Sequence, residues 1–138
     1  MDRIVADSSV MVKLFMEEEY SDKAYDLRDA YISKSVDVIE PSLLEYEVMN
    51  ALLYSKRLEM DDINSAIKAI DEYSFMTVQM DHNLASKVVE LAQRHRITVY
   101  DATYVALAMS FNAYMFTADD RLIRKVKLPL LKHIKDFR

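Results

Sequence analysis

VDVIEPSLLEYEVMNALLYSKRL, residues 36–58, changes its hydrophobic period halfway along. The first part, VDVIEPS, is β-rich and closes on Pro41, so it reads as a strand. From Leu43 onward Leu44, Val48, Ala51 and Ser55 fall on one helical face, and Ser42 stands where a helix N-cap would. A strand passing directly into a helix is the repeating unit of α/β proteins.

The same change recurs on both sides. RIVADS (3–8) reads as a first strand and SDKAYDLRDAYISKS (21–35) as an amphipathic helix. MDDINSAIKAIDEYS (60–74) is a further helix, FMTVQM (75–80) a third strand, and Asp81 is placed to cap a helix over NLASKVVELAQRHR (83–96). A helix over 101–111 follows, then a fourth strand in AYMFTAD (113–119), a short helix in DRLIRKV (120–126) and a fifth strand in LLKHIK (130–135), after Pro129. Such alternation predicts a mainly parallel sheet covered by helices on both faces. No repeat or low-complexity linker interrupts it, and the expectation is a single domain over 1–138.

Composition narrows the function. Hydrophobic residues make up 51% and charged residues 30%, a globular balance. With no glycine at all there is no Walker loop, dinucleotide fingerprint or nucleophile elbow. With no cysteine there is no thiolate metal site or thiol nucleophile. The start shows no signal-peptide pattern and no apolar run reaches membrane-spanning length, so the expected location is the cytoplasm with no membrane partner. A net charge of -5 gives no broad attraction to nucleic acid, yet leaves room for phosphate contact through cations held on carboxylates.

In open parallel sheets ligands collect at the carboxyl ends of the strands. Asp7 ends the first predicted strand and Asp119 the fourth. Asp101, taken alone, reads as a helix N-cap, but as a helix residue it shares a row with Val105 and Ala108 and turns inward. On the helix after Pro41, at about 100° per residue, Glu47 lies roughly 60° from the apolar stripe and Glu45 about 100° from it, so Glu47 is the inward acid. Four carboxylates without a histidine cluster suit Mg²⁺ or Mn²⁺ better than zinc. His82, His95 and His133 lack ligand spacing and read as surface residues. Lys13, Arg121, Arg124 and Lys125 read first as solvated charges and second as groups that steer a polyanion toward the acids.

IVADSSVMVKLF (4–15), PSLLEYEVMNALL (41–53), VYDATYVALA (99–108) and FTADDRLIRKV (116–126), in that order, closely resemble the PIN-domain ribonucleases and above all their VapC-type toxin branch. The resemblance spans essentially the whole chain. It places the family's acids on Asp7, Glu47, Asp101 and Asp119, with Ser9, Asn50 and Thr117 as supporting residues and Asp120 as an outer neighbour. It implies a PIN-like α/β/α sandwich with about five parallel strands. The implied activity is cleavage of RNA phosphodiester bonds by metal-activated water, with Mg²⁺ or Mn²⁺ as cofactor, a homodimer as the assembly and a cognate antitoxin as protein partner. The rival expectation is a catalytically inactive PIN-like scaffold whose acids only cap helices and which serves as a protein-binding module.

Overall fold

The computed structural model describes residues 2–138. Five strands, β1 (Asp2–Ala6), β2 (Val36–Pro41), β3 (Met76–Val78), β4 (Tyr114–Thr117) and β5 (Leu131–His133), form one sheet in the order β3-β2-β1-β4-β5. Every pairing is parallel, as the alternation predicted. Seven helices flank it among the described residues: α1 (Ser8–Met11), α2 (Ser21–Ile32), α3 (Leu43–Tyr54), α4 (Met60–Tyr73), α5 (His82–His95), α6 (Val99–Ser110) and α7 (Asp120–Val126). This is the α/β/α sandwich with a five-stranded parallel sheet expected from the sequence.

The middle of the sheet is covered on both faces. In β1, Ile4, Val5 and Ala6 are all buried, although successive strand residues point to opposite sides. On one side lies α6, which packs on β1, β2 and β4 and is itself covered by α5. The run from Ala102 to Ala108 is buried all round, and that is why ATYVALA carries no polar stripe. No helix among the described residues is long and apolar enough to cross a membrane.

Local polar chemistry sets boundaries that the sequence reading missed. The helix that holds Asp101 is not capped by it: α6 starts two residues earlier, with Thr98 as N-cap, extended at ψ 157°, its hydroxyl accepting the Asp101 N–H at 3.0 Å. Asp101 therefore lies in the first turn with its carboxylate unused for capping. Ser42 holds the N-cap position of α3, but at φ -58°, ψ -21° it is already helical and its side chain makes no cap bond. Asp81 does cap α5, accepting the Leu84 N–H at 2.8 Å. The helix after Pro41 ends at Tyr54, because the Ser55 hydroxyl takes up the Leu52 carbonyl at 2.8 Å and the chain turns left-handed at Lys56. The single turn α1 is too short to leave a periodic signal.

Without glycine, other residues take the left-handed positions. Ser74, Arg96 and Lys127 end α4, α5 and α7 at φ 53°, 55° and 54°.

Candidate active site

The site is built where β1 and β4 end side by side. The β1/β4 ladder continues one step beyond the strand, with the Asp7 N–H donating to the Phe116 carbonyl at 3.1 Å. Asp7 then caps α1, its Oδ1 accepting the Ser9 N–H at 3.1 Å and also the Ser9 hydroxyl. Its Oδ2 accepts the hydroxyl of Thr117, the last residue of β4. The two hydroxyls stand 3.3 Å apart, and each in turn accepts a backbone N–H, Ser9 Oγ from Ala118 at 2.9 Å and Thr117 Oγ1 from Asp119 at 3.1 Å. A buried carboxyl group thus fixes the turn that carries Asp119.

Asp119 caps α7, accepting the N–H groups of Arg121 and Leu122 at 3.0 and 3.2 Å with Oδ1. Asp101 and Asp119 open onto one cleft of about 240 Å³, with Arg96, Arg121 and Lys125 on its rim. Lys125 also donates to the Arg96 carbonyl at 3.0 Å, tying α7 to the end of α5. From α3, Glu47 is half-buried and Glu45 exposed, as the stripe geometry required. The Tyr104 hydroxyl, on α6, donates to Glu47 Oε1 at 2.7 Å and fixes it toward α6.

Electrostatics link these acids. Burial pushes the Asp7 carboxyl up from 3.8 to about 6; the Ser9 and Thr117 hydroxyls oppose this, and the Asp101 charge adds to it. Asp101 is raised first by burial and then by the charges of Asp119 and Glu47. Burial, followed by the bond to Glu47, raises the Tyr104 hydroxyl, so it stays a donor. No three of the four acids, among the described residues, stand close enough to hold an ion by themselves. The donor set nonetheless fits a hard divalent cation: only carboxylate and hydroxyl oxygens, and like charges whose repulsion a cation relieves. Mg²⁺ commonly takes one or two carboxylates and fills its other positions with water and substrate phosphate.

Other expected residues lie further out. Asn50 is exposed on α3, one turn beyond Glu47. Lys13 is buried and paired with Glu18 at 3.5 Å, so it is no surface charge free to steer a ligand. Arg124 is exposed and does not line the cleft. His133, read as a surface residue, is buried in β5, where Nδ1 accepts the Lys135 N–H at 3.0 Å and the ring meets Tyr20 edge-on at 5.0 Å. Its alternation with exposed Lys132 turns it inward.

The sequence reading passed over Glu40. It is 2% exposed near the carboxyl end of β2, one oxygen accepting the Ala6 N–H at 3.4 Å and the other, Oε2, without a partner. Burial first, and the Asp7 charge after it, raise it well above the ordinary carboxyl range. The strand-end rule that selected Asp7 and Asp119 applies equally to Glu40, but Pro41 drew attention to the turn instead.

A five-stranded parallel sheet with acids gathered where β1 and β4 end is the arrangement of a PIN domain. Residues 4–128 match the PIN domain family model, and the chain belongs to that family. Among proteins of known activity it is 30% identical to Ribonuclease VapC3 of Pyrobaculum aerophilum over 127 residues, covering 89% of this chain and 94% of the relative. Among solved structures it is similar to PAE2754 of Pyrobaculum aerophilum, with a TM-score of 0.71 and 20% identity over 97% of this chain and 85% of the other. It is also similar to a chain in a toxin-antitoxin complex from Klebsiella pneumoniae, with a TM-score of 0.72 and 17% identity over 95% and 97%.

Proposed function

We propose that this chain is a metal-dependent endoribonuclease of the VapC type, acting as one catalytic domain in the cytoplasm and forming the toxin half of a toxin-antitoxin pair. The observation that carries the reading is the gathering of acids where β1 and β4 end, with Asp7 clamped between Ser9 and Thr117 and with Asp101 and Asp119 opening onto one cleft. Likeness to a ribonuclease of 30% identity supports RNA as the substrate. Likeness to a chain from a toxin-antitoxin complex supports an antitoxin partner, and the family resemblance adds a homodimer.

Asp7, Glu47, Asp101 and Asp119 would hold Mg²⁺ or Mn²⁺, directly or through water. The chemistry that cation supplies is activation of a water and neutralisation of charge on the scissile phosphodiester. The chain's own residues prepare for it. Ser9 and Thr117 clamp both oxygens of Asp7 and stabilise its ionised form. Tyr104 fixes the orientation of Glu47, and Asn50, one turn on, would meet substrate or water from the same helix. Arg96, Arg121 and Lys125 place positive charge beside acids that would otherwise repel an RNA backbone. Hydrolysis adds water across the P–O bond and leaves a 5′-phosphate on one fragment and a 3′-hydroxyl on the other.

Asp101→Asn tests the reading, since it keeps size and removes one charge. It is expected to abolish cleavage of a labelled RNA while raising the melting temperature of the metal-free protein, as repulsion with Asp119 and Glu47 disappears. Full activity in that variant, or in excess chelator, contradicts the assignment. The scaffold reading predicts no cleavage by the parent protein, with or without chelator.

A further inference from the structure

On the flank of β4 and β5 lies a groove of about 570 Å³ lined by Lys23, Tyr114, Lys132, Lys135, Asp136 and Arg138, together with two phenylalanines. Four cations face one acid there, in a chain whose net charge is -5. None of the four takes part in an ion pair among the described residues. Lys23 is spoken for by the Phe137 carbonyl at 3.0 Å, which pins the last residues across the groove. Lys132, Lys135 and Arg138 are exposed.

The groove has a firm floor and one flat wall. Phe116 and Phe137 are buried beneath it, edge to face at 5.2 Å. Tyr114 is 54% exposed, and the Lys132 ammonium lies over its ring, 5.3 Å from the centroid. An exposed aromatic ring with a cation over one face offers single-stranded nucleic acid its other face for a base and the charge for a phosphate. An acidic peptide would use the cations and have no use for the ring.

The groove and the acids share β4 and β5, but Tyr114 and Lys132 point to the sheet face opposite to Thr117 and His133, so an RNA strand passing from one to the other rounds the β5 edge. β4 runs from Tyr114 in the groove to Thr117 on Asp7, roughly 10 Å at about 3.3 Å per residue. In the paired strand Lys132 lies opposite Phe116 and His133 opposite Thr117, and His133 Nε2 stands 3.7 Å from Asp120, the neighbour of Asp119.

We propose that this basic, tyrosine-walled groove is a second contact for single-stranded RNA, holding phosphates on Lys132 and Lys135 and a base on Tyr114 while a bond a few nucleotides away reaches the acids. The inference rests on the nuclease reading for the identity of the polyanion. It accounts for how an acidic protein retains an RNA strand.

The test uses the full chain carrying Asp101→Asn, so that RNA is not consumed, and fluorescence anisotropy of end-labelled single-stranded RNA of about 20 nucleotides and of about 4. Adding Lys132→Glu and Lys135→Glu together is expected to weaken the long RNA at least about 10-fold and to reduce the slope of log K against log salt by about 1.4, two phosphates at roughly 0.7 each. The short RNA, seated at the acids alone, should be little affected. Tyr114→Ala should weaken the long RNA without changing the salt slope, a readout that simple loss of charge or of folding would not give. In the active protein the double substitution should raise KM for the long RNA and leave kcat unchanged. Unchanged affinity and slope would overturn the proposal, as would tighter binding of poly-glutamate than of RNA with the same dependence on Lys132 and Lys135. An active-form protein that cleaves no RNA, yet whose Asp101→Asn form loses RNA on the double substitution, overturns the nuclease reading and leaves the groove standing.

Discussion

Asp7 and Glu40 are both buried carboxyl groups near the carboxyl ends of neighbouring parallel strands, yet their surroundings differ at almost every oxygen. Asp7 receives two hydroxyls and a backbone N–H, while Glu40 receives one long N–H contact and leaves Oε2 bare. Burial raises both. The hydroxyls hold Asp7 to about 6, so it is ionised at neutral pH, whereas Glu40 lies well above its ordinary value. Position at a strand end brings an acid to the site; donors decide whether it arrives as a charge.

The largest expected effect comes from removing that difference. Thr117→Val deletes the donor to Asp7 Oδ2 and leaves an acid more like Glu40, still buried and less supported. Cleavage should fall about 10- to 100-fold, the usual consequence of losing a partner that orients a metal-binding carboxylate. The acid limb of the pH-rate profile should move to higher pH. A fall in rate without that movement would mean that Thr117 matters only for packing.

The stability of the metal-free protein in chelator also separates the two acids. Asp7 has a folded value raised from 3.8 to about 6, so between those limits the native state binds more protons than the unfolded chain. Its contribution is therefore fully present below about pH 4 and is lost as pH rises through 6, a fall on the order of 3 kcal/mol at 1.36 kcal/mol per unit. Asp7→Asn should remove that fall, measured by urea unfolding across the range. Glu40→Gln should instead remove a loss of stability that also begins near the ordinary carboxyl value of 4.5 but continues to higher pH, because native Glu40 gives up its proton later. If the losses removed by the two variants end at the same pH, the two acids do not differ as described.

The smallest effect is a control on the backbone. Lys34 is an exposed residue held left-handed at φ 66°, where a β-carbon is unfavourable. Lys34→Gly should stabilise by about 1 kcal/mol or less. It should leave both pH windows in place. A shift in either would show that general tightness of the fold, and not local donors, sets the two carboxyl groups apart.

The sheet was legible because each strand is a compact β-rich run and helices such as α4 and α5 keep a clear 3.6-residue stripe. Glu47 could be chosen over Glu45 from the apolar stripe of α3 alone. Features governed by single hydrogen bonds were not. Thr98 displaced Asp101 as the cap because either residue type can cap and only backbone conformation chooses between them. His133 and Lys13 looked like surface residues because polar type is a weak guide where one strand or one helical turn faces the core. Glu40 stayed hidden because a buried acid with one oxygen left unpartnered runs against the usual pattern of burial. The order of the acids along the chain was readable; the hydroxyl clamp joining Asp7 to Thr117, 110 residues away, needed the fold.

Calorimetric titration of Mn²⁺ into the full chain, parent and Asp101→Asn side by side, tests most directly whether folding has made a cation site of these separated acids. Saturable binding in the parent, strongly weakened in the variant and shared by Mg²⁺, is the predicted result. No heat at millimolar Mn²⁺, or equal binding by both proteins, would contradict it.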